Sequence, residues 1–280
     1  TVFFFFTVDN SAGVNLAGNT TVDNTLTLTD GLVTLGDYDL TLGGTVGGTP
    51  SAGNMVVTNG TGIMKKVYST TGSFTFPVGE SSGTAEYTPA TLDFESGTFN
   101  SGWAGLKVTQ GKQPEIPGST NYINRYWTVT QSGITDFSCN TMFQYLSSDV
   151  EGDESVIHSA KYDGSDWTKH DLANTADHQI NCDGVSSFSD FTGRAFAPTT
   201  QATDVTFSST TCSGTTVAWT RGNGDDCAVF MKETSTGTAS PSDGTSYTAN
   251  TVFGSGTQIG TSGWYCIYNG TGTEVTVSEL

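Results

Sequence analysis

Along residues 1–70, Leu or Val alternates with Thr for four or five positions and then yields to Asn, Asp or Gly. The clearest units are Thr25-Leu26-Thr27-Leu28-Thr29-Asp30-Gly31, Leu32-Val33-Thr34-Leu35-Gly36 and Asp39-Leu40-Thr41-Leu42-Gly43-Gly44, and the tetrad Thr-Val-Asp-Asn stands at both Thr7 and Thr21. A period of two is the signature of a strand with one apolar face. One strand of this length cannot bury that face, whereas stacked copies share a core. The pattern therefore predicts a short β-solenoid, with a meandering sheet as the alternative. Phe3 to Phe6 break the alternation, as a strand covered on both faces or an end cap would.

Between 71 and 197 the apolar runs lengthen and aromatics enter. Strands are predicted at 73–77, 86–94, 106–110, 125–130, 141–146, 156–162, 167–170, 178–182 and 187–192. Asp163-Gly164, between Tyr162 and Trp167, is a hairpin signal. Strands separated by turns at this density predict an antiparallel β-sandwich. Pro198-Thr-Thr-Gln201 reads as a linker, and a third module occupies 198–280, with strands at 204–208, 215–220, 228–232, 263–269 and 274–280. The fold class expected is all-β throughout.

Composition sharpens this. Gly accounts for 35 of 280 residues and charged residues for only 14%, a balance suited to short strands and turns rather than long helices. Ten basic residues against twenty-eight acidic leave a formal charge of −18. Such a surface repels phosphate backbones and anionic headgroups, so neither nucleic acid nor membrane insertion is expected. The longest apolar run, Val2 to Phe6, is far below the ~20 residues of a membrane helix. The wealth of Thr, Ser and Gly points to a secreted, extracellular or cell-surface chain.

Two resemblances follow from particular segments. Asp-Val-Thr-Phe at 204–207, Thr-Thr-Val-Ala-Trp-Thr at 215–220 and Ala-Val-Phe-Met-Lys at 228–232 resemble strands A, B and C of a fibronectin type III domain, with Trp219 as its core tryptophan. Glu274 to Leu280 resembles strand E and the leucine preceding strand F. The family's strands F and G are not in the sequence, and the 233–262 connection is longer than usual. The likeness implies that the open strand 228–232 is covered by following residues or by a neighbouring subunit, in an end-to-end or ring-like homo-oligomer. More broadly, Phe74-Thr-Phe-Pro-Val-Gly, Asn124-Arg-Tyr-Trp-Thr-Val, Ala160-Lys-Tyr-Asp-Gly-Ser and Ser187-Phe-Ser-Asp-Phe-Thr-Gly are similar to large surface proteins exported by the type IX secretion pathway of gliding and predatory bacteria. That similarity implies a non-catalytic stalk, adhesin or filament component, without catalytic residues. The alternatives are a carbohydrate-binding module with a glycan partner, or an accessory region of a secreted polysaccharide-degrading enzyme.

Candidate chemistry is sparse. Gly79-Glu80-Ser81-Ser82-Gly83 matches the G-x-S-x-G nucleophile elbow, but the following Thr84-Ala-Glu-Tyr is strand-like where a helix is required. His158, His170 and His178 are the only histidines, and their spacing suits no local metal site. Asp149, Glu151, Asp153 and Glu154 form the densest carboxylate cluster and the calcium candidate, with Asp225 and Asp226 a second. No other cofactor is expected. Of the five tryptophans, Trp127 and Trp219 read as core, whereas Trp103 beside Gly102 and Trp264 beside Gly263 are candidate sugar-stacking rings. The five cysteines contain no C-x-x-C. Bridges Cys139–Cys182 and Cys227–Cys266 are expected, leaving Cys212 free.

Overall fold

The computed structural model describes every residue except Pro117, Ser119, Ala197, Thr199, Asp225, Asp243 and Gly244. It is nearly all β and divides into two compact units, 1–196 and 197–280. The two segments read as separate modules from the sequence, 1–70 and 71–197, fall in the first unit as far as residue 196.

The first unit begins as a solenoid. Its rungs are β1 (Val2–Asp9) with β2 (Val14–Asn15), β3 (Thr20–Asp30) with β4 (Val33–Thr34), and β5 (Leu40–Leu42) and β6 (Thr45–Gly48) with β7 (Val56–Val57). The last comprises β8 (Met64–Tyr68), β9 (Gly72–Phe76) and β10 (Val78–Glu80). One parallel sheet stacks β1, β3, β5 and β8, and a smaller one stacks β2, β4, β7 and β10. The Leu/Thr alternation explains the stack. Val14, Val33, Val56 and Val78 share one register column, and Leu40 and Met64 share another that continues to Leu106. All but the half-buried Val14 are fully buried, and each such side chain withdrawn from water contributes about 1.5–3 kcal/mol. The threonines that alternate with these side chains, such as Thr34 and Thr41, are only half-buried.

Where the first sheet turns its corner, Asp23-Asn24 on one rung lies over Gly43-Gly44 on the next. A Cβ on Gly44 would stand 1.8 Å from the Asn24 carbonyl oxygen and one on Gly43 2.6 Å from that of Asp23. Rungs about 4.8 Å apart leave no room for a side chain there, so glycine is required by the stacking.

The stack then changes character without a break. After β11 (Glu86–Tyr87) come β12 (Ala90–Gln110), β13 (Tyr122–Ile123), β14 (Arg125–Gln144), β15 (Val150–Glu151), β16 (His158–Tyr162), β17 (Trp167–Leu172), β18 (Gln179–Val185) and β19 (Asp190–Arg194). β12 pairs antiparallel with β8 and β9 on one side and with β14 on the other; β14 also meets β18 and β19. The antiparallel strands therefore prolong the solenoid sheet, and one apolar core runs from Val8 to Phe191. Of the segments expected as separate strands, 86–94 from residue 90 and 106–110 lie in β12, and 125–130 and 141–146 as far as residue 144 lie in β14. Gly97 (φ 152°) and Gly133 (φ 71°), which lie between those expected strands, occur where the β12–β14 register shifts, and bulges of this kind bend a strand without ending it.

The second unit contains β20 (Thr203–Ser208), β21 (Gly214–Thr220), β22 (Cys227–Met231), β23 (Tyr265–Gly270) and β24 (Glu274–Ser278). β20, β21 and β24 form one antiparallel sheet, and β22 and β23 another. Val217, Trp219, Ile267, Val275 and Val277 make its core. No helix among the described residues is long and apolar enough to cross a membrane.

Candidate functional site

Three of the four candidate calcium ligands are engaged by other partners. Asp149 is buried, and its carboxylate accepts from Arg125 Nε at 2.8 Å and Nη2 at 2.9 Å, and from the Leu146 backbone N–H at 2.9 Å. Glu151 is exposed on β15, whose partner is Tyr122 of β13. Asp153 Oδ1 caps a short turn by accepting from the backbone and hydroxyl of Ser155. Glu154 Oε1 accepts from the Tyr145 hydroxyl at 2.6 Å and meets His178 Nδ1 at 2.9 Å. Burial and that neighbouring carboxylate both push the Tyr145 phenol up. No group of three metal-binding side chains converges among the described residues. Asp225 lies outside the described residues.

Arg125 is the centre of charge that sequence reading misses. It is completely buried on β14, and besides Asp149 it donates through Nη2 to Glu86 of β11. Burial pulls its pKa down, but the bonds and charges of Asp149 and Glu86 outweigh this and raise it. The partners lie 24 and 39 residues away, beyond any local motif. The arrangement ties β11, β14 and the turn at Leu146–Asp149 together. It is a structural clamp.

The three histidines form no metal-binding group among the described residues. His158 is buried on β16 with Nδ1 2.9 Å from the His170 carbonyl oxygen. His170 on β17 has its pKa lowered, by burial first and by Lys161 second. The G-x-S-x-G segment forms the β10–β11 hairpin, with Gly79 opposite Tyr87 and Glu80 opposite Glu86, and Gly83 in the turn at φ 103°.

The two candidate rings belong to different units. Trp103 sits on β12 between Val67 and Ser132, with the Lys65 ammonium 4.3 Å from its ring centre. Lys65 also pairs with Asp39 at 2.6 Å, so one face of Trp103 carries a fixed cation. Trp264 lines a cavity of about 450 Å³ in the second unit, with Phe230, Pro241 and Ile259 among the other walls. Its indole N–H is buried and lacks a hydrogen-bond partner. Trp127 and Trp219 are core residues, as expected. Trp167 belongs to an aromatic–cation cluster in which the Arg194 guanidinium lies 5.0 Å from its ring and 4.5 Å from Phe196.

All five cysteines are free thiols, which overturns both expected bridges. Cys139 stands opposite Val185, and Thr141 opposite Cys182. The two sulfurs therefore belong to diagonal neighbours, whose Cα spacing of about 7–8 Å exceeds what a disulfide spans. Cys227 pairs with Gly270 and Cys266 with Phe230, further apart along the ladder. Burial pushes the Cys139 and Cys182 thiols up to about 12. Cys212 is exposed.

Comparison with protein-family models, with curated proteins and with solved structures finds no match to this chain.

Proposed function

We propose that this chain is a non-catalytic, extracellular structural or adhesive module of a larger cell-surface assembly, of the kind exported by the type IX pathway. The observation that carries the reading is the shared core running from solenoid rungs into the long β12–β14 hairpin. A parallel stack locked at one side to a long antiparallel pair resists shear through many backbone bonds at once, which suits a spacer. The half-buried threonines and the charge of −18 favour solubility and discourage phosphate-bearing partners. In the second unit, β20-β21-β24 pair in the order A-B-E, and β22-β23 pair as C with C′. That order and the buried Trp219 favour a fibronectin type III-like module.

The fluorescently labelled protein tests this on bacterial envelopes and insoluble polysaccharides. Retention with no release of new reducing ends is expected. Release that depends on the folded protein would overturn the non-catalytic reading.

Carbohydrate binding is the second reading, favoured by the half-buried Trp264 ring at its cavity. An indole face in a concavity can stack a pyranose. Trp264→Ala should abolish polysaccharide retention while Trp103→Ala, whose ring already holds Lys65, leaves it intact. Equal retention by wild type and W264A would remove this reading.

A further inference from the structure

The sheet of the first unit is complete over half its width and split over the other half. On one side β3, β5, β8 and β12 are continuously paired. On the other, β6 pairs with β3 and β9 with β12, and among the described residues neither pairs with anything further. β6 lies on the same side of β3 as β5, and β9 on the same side of β12 as β8, so their unpaired edges face each other. They also run in the same direction, since β5 and β8 are parallel and both β8 and β9 oppose β12. Between them is a cavity of about 340 Å³, with Val46, Phe74, Pro50, Pro77 and Tyr87 among its lining residues and Thr45, Ser73 and Thr75 exposed at its rim. No charged residue lines it, in a chain of net charge −18.

We infer that this split is a strand-acceptor slot that takes an extended, uncharged segment of a partner protein, inserted parallel between β6 and β9. Two facing edges carry backbone donors and acceptors in strand register, which a peptide matches on both sides. A saccharide has no such repeat. Val46 and Phe74 are half-buried and packed against the core, so the floor accepts one apolar side chain from the incoming strand. The rim hydroxyls accept alternate Thr or Ser, as neighbouring rungs do. The partner's chemistry is therefore Thr/Ser alternating with small or branched apolar residues, without charge in the inserted stretch. The slot goes beyond the adhesive reading, because its geometry is the same whatever the whole protein adheres to.

The probe is a labelled, end-capped peptide with the sequence of residues 24–29, whose Thr/Leu alternation forms part of a rung in this chain, and an analogue N-methylated at alternate amides. Titration into the full chain should show saturable binding that N-methylation weakens at least tenfold. Hydrogen exchange should show new protection at Thr45–Gly48 and Gly72–Phe76 only. Val46→Lys should weaken binding at least tenfold; if that variant does not fold, the exchange and N-methyl measurements decide. Equal binding of both peptides, or no new protection at β6 and β9, would overturn the slot. Protection of these amides by self-association, without peptide, would replace the partner protein by a second copy. Saturable oligosaccharide binding that protects the same amides would replace the strand by a glycan.

Discussion

Arg125 and Asp149 meet through two hydrogen bonds, at 2.8 and 2.9 Å, with both side chains essentially shut off from water. The guanidinium's planar fork matches the carboxylate, and Glu86 takes the remaining reach of Nη2. Removing one partner leaves the other charge buried. Asp149→Ala should therefore destabilise the first unit by about 3–5 kcal/mol, and Arg125→Met with Asp149→Leu together should cost less than the two single changes summed. Urea unfolding of Asp149→Ala, of the two single changes and of the double variant measures this, and strict additivity would mean the pair is not coupled.

Thiol labelling separates the cysteines. Cys212 should react with a thiol reagent in the native protein at once. Cys139 and Cys182, buried and pushed up to about 12, should react only as the first unit unfolds, since the thiolate is the reactive form. Non-reducing peptide mapping should recover no linked pair. A Cys139–Cys182 peptide would contradict the β14–β18 register.

The solenoid corner predicts a contrast between glycines. Gly44→Ala should destabilise by about 1–3 kcal/mol, because its Cβ meets backbone that cannot yield. Gly18→Ala, with nothing within 4 Å of its Cβ, should be near neutral. Thermal unfolding of both variants checks it.

His170 predicts a pH slope. Its pKa is lowered in the fold by burial and Lys161, so the unfolded chain binds the proton more readily. Its stabilising contribution is full above the unfolded value, about 6.5, and is lost as pH falls from there toward the depressed folded value. The difference in unfolding free energy between wild type and His170→Gln should therefore shrink as pH falls from 7 toward 5. A constant difference would show that His170 does not titrate on unfolding.

The binary pattern determined a great deal by itself. Alternation of Leu or Val with Thr dictated strands with one buried face, and their shortness required stacking, which is why the solenoid of residues 1–70 was legible. Trp127 and Trp219 were legible as core for the same reason, each lying among small or polar alternating neighbours. What the pattern could not carry was which strand lies beside which. Gly97 and Gly133 look the same in sequence whether they end a strand or bulge it, and only pairing with the opposite strand distinguishes the two. The cysteines fail likewise, because a two-residue offset between Cys139 and Cys182 is a matter of register, set by the whole β14–β18 ladder. Arg125 draws on Glu86 and Asp149 across distances that no local spacing encodes, and three of the four carboxylates expected around calcium, Asp149, Asp153 and Glu154, are held by Arg125, Ser155, Tyr145 and His178. Period is a local property, written residue by residue. Register and charge pairing are settled only when distant strands close on a common core, and in this chain the clamp and the split between β6 and β9 both arise there.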